Sequence, residues 1–360
     1  MNKLIVSSSP HIRRKKDTPS IMLDVVIALL PAVIASVVLY GFKALIILAT
    51  CVLTAVVSEF LFNLITKREQ TIFDFSAVVT GLILGLSLHS KVEIWQCVLG
   101  AVFAIIVVKC LFGGLGANFA NPAATARVFM IICFTTVAGG VISSAPDIIT
   151  GATPLKDAGS IIDVVIKNPS EVILEGEKLD LPSLREMFLN GFEIVDKVQD
   201  PDDPTKIETF VYTLPSLLDM FLGNRGGAIG EGSIVALLVG FIYLVVRRVI
   251  KFETPLIMIA TVFVLSLINS GNLGLALYQT LGGGMIFAAI FMITDYSTTP
   301  ITRTGKMIFA FGCGLITFLI RTYGGYPEGV SFAILLMNIL SPAIELLTKP
   351  RALGKRGKKA

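Results

Sequence analysis

The sequence alternates between long apolar runs and short polar breaks, and the runs come close to the roughly 20 residues that a helix needs to cross a bilayer. Ten such runs stand out. Five occupy residues 21–40, 44–62, 73–88, 94–112 and 121–141; five more occupy 229–249, 255–270, 275–294, 307–322 and 330–347. The pattern predicts an all-α polytopic membrane protein of about ten transmembrane helices. A polar stretch from Ser143 to Arg225 separates the two sets. The chain therefore divides into a polar N-terminal segment (1–20), a first five-helix unit (21–141), a loop (142–228), a second five-helix unit (229–348) and a basic tail (349–360). The first run is full length and has no small-residue cleavage site behind it, so it reads as a first span and not as a cleaved signal.

Five is odd, so the second unit must enter the membrane from the side opposite the first, which suits an inverted repeat. Gly113-Gly114-Leu115-Gly116, followed by Pro122, stands before the fifth run, and Gly324-Gly325-Tyr326-Pro327 stands before the tenth. Interruptions at corresponding places suit broken helices whose freed backbone groups line a site, and a cation path over those carbonyls. They suit plain interhelical turns equally well. In the third run, Gly81-Leu-Ile-Leu-Gly85 reads as a face for close helix packing.

Lysine and arginine placement sets the expected orientation. Of 30 basic residues, 18 fall on one side: Lys3 to Lys16, Lys67 and Arg68, Arg247 to Lys251, Arg303 and Lys306, and Lys349 to Lys359. The short opposite loops hold little beyond Lys43, Lys91 and Arg321. Both termini are thus expected in the cytoplasm and loop 142–228 outside the cell membrane. That loop is acidic, with 15 acids against 7 bases between Val141 and Ala228. Asp24, Glu59, Asp74, Lys109, Arg127, Asp295 and Glu345 stand near the basic ends of their runs. A charge costs about 2.5–3.5 kcal/mol at a helix centre but little near an end, where it can snorkel. Snorkelling is expected of Lys109 and Glu345, and no carboxylate is expected at mid-membrane.

Composition narrows the chemistry. With 54% hydrophobic and 16% charged residues and a mean hydropathy of +0.80, the chain is neither a soluble globular enzyme nor a disordered protein. Its two histidines, His11 and His89, are too far apart to supply paired haem ligands. The five cysteines show no CxxC spacing and fall in apolar runs, which argues against iron–sulfur, zinc and disulfide sites. Redox work here would need an organic cofactor.

The sharpest local motif is Asp147-Ile-Ile-Thr150-Gly151-Ala152-Thr153-Pro154, just past the fifth run. Gly151 permits a tight turn, Ala152 adds no bulk, and Thr153 presents a hydroxyl that a modifying enzyme can reach. A polar turn leaving a helix is the plain alternative. Arg225, in Gly223-Asn-Arg225-Gly-Gly-Ala-Ile-Gly230, suits a phosphate, although the glycine pair by itself reads more simply as a turn.

The Asp-x-x-Thr-Gly-Ala-Thr pattern resembles the acceptor motif of flavin transferases, which attach FMN through its phosphate to the last threonine. Three further stretches are similar to the RnfD/NqrB family: Gly113 to Arg127, Gly223 to Glu231, and Thr294-Asp295-Tyr-Ser-Thr-Thr-Pro300 through Gly305-Lys306 to Arg321 and Gly329. The resemblance spans the chain in order and favours the Rnf branch, since the NqrB branch carries a longer N-terminal extension. It implies a flavin-carrying subunit of a complex that couples ferredoxin and NAD redox chemistry to Na⁺ or H⁺ translocation. It also implies FMN bound covalently at Thr153, a noncovalent riboflavin in some members, and a fold of two inverted five-helix repeats like urea and ammonium channels. The implied partners are RnfA, RnfB, RnfC, RnfE and RnfG, a flavin transferase and the lipid bilayer, with no nucleic acid. With no dinucleotide or iron–sulfur motif, the chain is not expected to act on NAD or ferredoxin by itself. An NqrB-like quinone reductase subunit and a channel or transporter without redox role remain as alternatives.

Overall fold

The computed structural model describes residues 17–134, 173–174, 177–178, 184–190, 192–200, 203–223, 226–324 and 329–349. Each of the ten apolar runs contains helix. The first five are α1 (Thr18–Tyr40), α2 (Phe42–Ile65), α3 (Ser76–Ser87), α4 (Ile94–Val102, continued by a π-helical stretch Phe103–Cys110) and α5 (Pro122–Cys133). Two short helices, α6 (Leu184–Leu189) and α7 (Leu217–Leu222), belong to the polar segment. The second set is α8 (Ile234–Val246), α9 (Glu253–Ser270), α10 (Leu273–Leu281), α11 (Met285–Phe291), α12 (Arg303–Tyr323) and α13 (Val330–Thr348).

Local chemistry explains the boundaries. Pro122 opens α5 where its missing N–H costs nothing, and the Asn121 side chain caps the same turn by accepting from the amides of Ala123 and Ala124. Gly41, at φ 70°, turns the chain directly from α1 into α2. By length and composition α1, α2, α9, α12 and α13 can each cross a membrane; α10 and α11, bent by 54° at a short break, make a sixth candidate. The helices α3, α4, α5 and α8 are apolar but shorter. The outer faces of the bundle leave side chains such as Val38 (78%) and Ile268 (75%) exposed. Apolar surface on this scale is a lipid-facing surface.

Small residues set the closest helix contacts. A Cβ on Gly81 would lie 2.8 Å from the Val52 Cα, so α3 rides against the backbone of α2, as the glycine spacing predicts. A Cβ on Gly240 would lie 2.2 Å from the Ala28 carbonyl oxygen, which pins α8 to α1.

Two expectations need amendment. The fold is not purely helical. Within the polar segment, β1 (Ile173–Leu174) pairs antiparallel with β2 (Glu177–Lys178), and β3 (Phe192–Asp200) pairs antiparallel with β4 (Asp203–Leu214). Phe192 faces Leu214 at one end of the longer hairpin and Asp200 faces Asp203 at its tip. A short strand and a helix are legible between Glu171 and Leu189; the β3–β4 hairpin is additional to that pattern. Among the described residues a helix break falls at Gly282–Gly284 inside the eighth run, and not before run five. Gly113, Gly114 and Gly116, at φ 119°, 96° and 89°, form a tight turn between α4 and α5. Gly324 caps α12, and Gly325, Tyr326 and Pro327 lie outside the described residues.

Candidate functional site

The flavin-attachment residues expected from the sequence, Asp147, Thr150, Gly151, Ala152 and Thr153, lie outside the described residues, as does Arg225. The described residues hold three polar clusters inside the helical bundle.

The first joins α2, α3 and α4. Lys109 Nζ donates to both Glu59 carboxylate oxygens, at 2.8 and 2.9 Å, and to Ser76 Oγ at 2.7 Å. Thr71 Oγ1 donates to Glu59 Oε1 at 2.7 Å. Lys109 is 1% exposed and Glu59 2%, so Lys109 does not snorkel; it is a buried ion-pair partner. The π-helical stretch of α4 adds a backbone bulge at this point, the kind of irregularity that re-aims a side chain at functional sites.

Beside this pair lies a cavity of about 70 Å³ between the two halves of the chain. Its polar wall includes Ser76, Lys109, Asn118, Asn121 and Asp295, and its apolar wall includes Met22, Ile83, Leu244 and Phe291. Asn118 Oδ1 is buried and meets no hydrogen-bond donor among the described residues. Asn121, while capping α5, also reaches the Met292 carbonyl at 3.4 Å and so ties α5 to the end of α11. Asp295 accepts from the Ser297 amide and hydroxyl and from Thr298 Oγ1. Burial pushes its carboxyl above the ordinary value, and the Ser297 and Thr298 bonds oppose that rise.

The second cluster surrounds the break between α10 and α11. Arg321, on α12, donates through Nη1 to the Gln279 carbonyl and through Nη2 to the Gly282 carbonyl at 3.2 Å. These carbonyls are ones that the break frees from helical pairing. On the α11 side, Arg127 Nη2 lies 3.5 Å from Glu231 Oε1, with both side chains buried. A Cβ on Gly284 would lie 2.9 Å from that same oxygen and 3.0 Å from Arg127 Nη1, so the pair sits directly against the backbone there and a side chain would push its charged ends aside. The sequence places Arg321 in an outer loop and Glu231 at the start of the sixth run; the structure buries both at the break. At this break a fixed guanidinium occupies the freed carbonyls. Glu231 is a buried carboxylate that charge placement along the chain does not single out. Its one signal is its place at the end of the Gly223–Glu231 stretch.

The third cluster lies at the end of the bundle where α8 stops. Arg247 donates to Asp24 Oδ1 at 2.9 Å, and Tyr243 donates to the same oxygen at 3.1 Å. Arg303 forms a two-point pair with Glu253. Glu345 accepts from the Ile301 amide at 2.8 Å. Among the described residues no group of three or more His, Cys, Asp or Glu side chains is placed to hold a metal.

Comparison with known proteins decides the lineage. Residues 5–354 match the NQR2, RnfD, RnfE family. The chain belongs to this family. A relative from Acetobacterium woodii, named as the D component of a "Na(+)-translocating ferredoxin:NAD(+) oxidoreductase complex", is 38% identical over 98% of this chain and 95% of its own length. The D component of a "Proton-translocating ferredoxin:NAD(+) oxidoreductase complex" from Clostridium ljungdahlii is 33% identical over 99% and 97%. The D component of the "Ion-translocating oxidoreductase complex" of Stutzerimonas stutzeri is 34% identical over 94% and 93%. Within the NQR2, RnfD, RnfE family, these relatives match the chain nearly from end to end.

Proposed function

We propose that this chain is the RnfD-type membrane component of an Rnf complex that couples electron transfer between ferredoxin and NAD⁺ to Na⁺ or H⁺ translocation. The observation that carries the reading is the nearly full-length match to relatives named for that complex. RnfA, RnfB, RnfC, RnfE and RnfG are the proposed partners. In this reading all ten apolar runs span the cell membrane as two inverted five-helix repeats, with the basic end and both termini in the cytoplasm. Loop 142–228 lies outside. Thr153 Oγ1 would hold FMN as a phosphoester installed by a flavin transferase, and Arg225 would be a candidate to balance the phosphate charge. The flavin supplies one- and two-electron chemistry; the chain fixes its position and electrostatics.

The cavity beside Lys109, at about 70 Å³, lies far below the roughly 300–1,000 Å³ of small-molecule pockets and does not fit a noncovalent riboflavin, so no residue is assigned to one. A quinone reductase component is the weaker reading, because the relatives are named for NAD⁺. A channel without redox role is weaker too, because Arg321 sits on the freed carbonyls.

The test is ultraviolet fluorescence of the denatured chain on a gel, from a host that expresses a flavin transferase, with Thr153→Ala alongside. A fluorescent wild type and a dark variant are expected. A dark wild type beside a glowing control acceptor would refute the flavin reading and favour the channel.

A further inference from the structure

A second and larger cavity, of about 550 Å³, opens at the basic end of the bundle between the end of α8, the start of α9 and the start of α12. This volume lies within the range of small-molecule pockets. Its wall carries Arg248, Lys251 and Lys306. None of the three has an ion-pair partner among the described residues. The one carboxylate on that wall is Glu253, and both of its oxygens are taken by Arg303. The cleft wall therefore carries three positive charges against one carboxylate that Arg303 already pairs; Lys251 is also attracted to Glu253, and Lys251 and Lys306 repel one another. Such an arrangement is stable when an anion fills it.

Two further observations narrow the anion. Arg248 holds a left-handed backbone at φ 55°, strained for a residue with a side chain, in the turn that follows α8. The cleft wall itself carries an exposed apolar side chain, Phe252 (56%), and the exposed Val246 (73%) on α8 and Leu256 (58%) on α9 stand within two residues of wall positions Val245 and Thr254. A ligand with a negative head and apolar tails meets both surfaces at once. We infer that this cleft is a specific site for the phosphate head group of an anionic phospholipid, with its acyl chains laid along α8 and α9. The inference is independent of the flavin reading.

The experiment is native mass spectrometry of the full-length chain in detergent, titrated with phosphatidylglycerol or phosphatidylcholine. Phosphatidylglycerol should bind the wild type and phosphatidylcholine should not. At about 1 kcal/mol per basic residue near a charged head group, the Lys251→Gln/Lys306→Gln variant should bind phosphatidylglycerol roughly 30-fold more weakly. Should that variant fail to fold, Arg248→Gln, whose side chain is exposed, should still weaken binding about fivefold. Equal binding of the two lipids, or unchanged binding in both variants, would overturn the inference. Displacement of the lipid by millimolar inorganic phosphate would also overturn it, by marking a site for free phosphate.

Discussion

Removing one member of the Lys109–Glu59 pair tests most directly whether the interior is organised by buried charges. At 2.8 Å the two charges attract by about 6 kcal/mol for an effective dielectric near 20. Burying each ion costs several kcal/mol, so the net value of the pair is small. Breaking it is another matter. Lys109→Ala leaves the Glu59 carboxylate buried with Thr71 as its remaining donor among the described residues, and should destabilise the protein by about 3–5 kcal/mol. Glu59→Ala leaves the ammonium with Ser76 and should cost a similar amount. The double variant Glu59→Leu/Lys109→Met removes both charges and fills the space, so it should cost far less than the sum of the two single changes. Thermal unfolding in detergent can be followed with a thiol-reactive dye, since Cys51, Cys97, Cys110 and Cys313 are buried and become reactive only on opening. If Lys109 instead snorkelled to the surface, Lys109→Ala would cost less than about 0.5 kcal/mol and the changes would add. That result would refute the buried-pair account.

The remaining predictions follow from single contacts. Gly240→Ala should force α8 away from the Ala28 carbonyl and lower stability by about 1–3 kcal/mol in the same dye assay. Arg321→Met should uncover the Gln279 and Gly282 carbonyls and cost about 2–4 kcal/mol, with Arg321→Lys recovering part of the loss. Asn118→Leu should leave thermal stability nearly unchanged in the same assay, because Oδ1 has no donor among the described residues to lose; a loss of more than about 1 kcal/mol would refute this.

The cavity and the break bring together residues that lie far apart along the chain. Asn121, Arg127, Glu231, Asp295 and Arg321 all stand within the family-like stretches, yet nothing local assigns their partners. Arg127 meets Glu231 across 104 positions, and Lys109 meets Glu59 across 50. The β3–β4 hairpin is legible in part, since Ile207-Glu-Thr-Phe-Val-Tyr-Thr213 is rich in β-branched and aromatic residues. The acidic character of the surrounding segment masks that signal, because charge there reads as a solvated loop.

Local composition is enough to specify the set of helices. Lipid offers no hydrogen bonds, so an apolar run must satisfy its own backbone, and each of the ten runs contains helix. Turn chemistry likewise fixes the start at Asn121-Pro122 and the turn at Gly113–Gly116. Where the eighth run breaks, which charges are buried and what neutralises each of them are settled by the packed bundle. Those outcomes depend on which helices lie side by side. A guanidinium or ammonium in the interior is stable only where another element delivers a carboxylate or a freed carbonyl within hydrogen-bond reach.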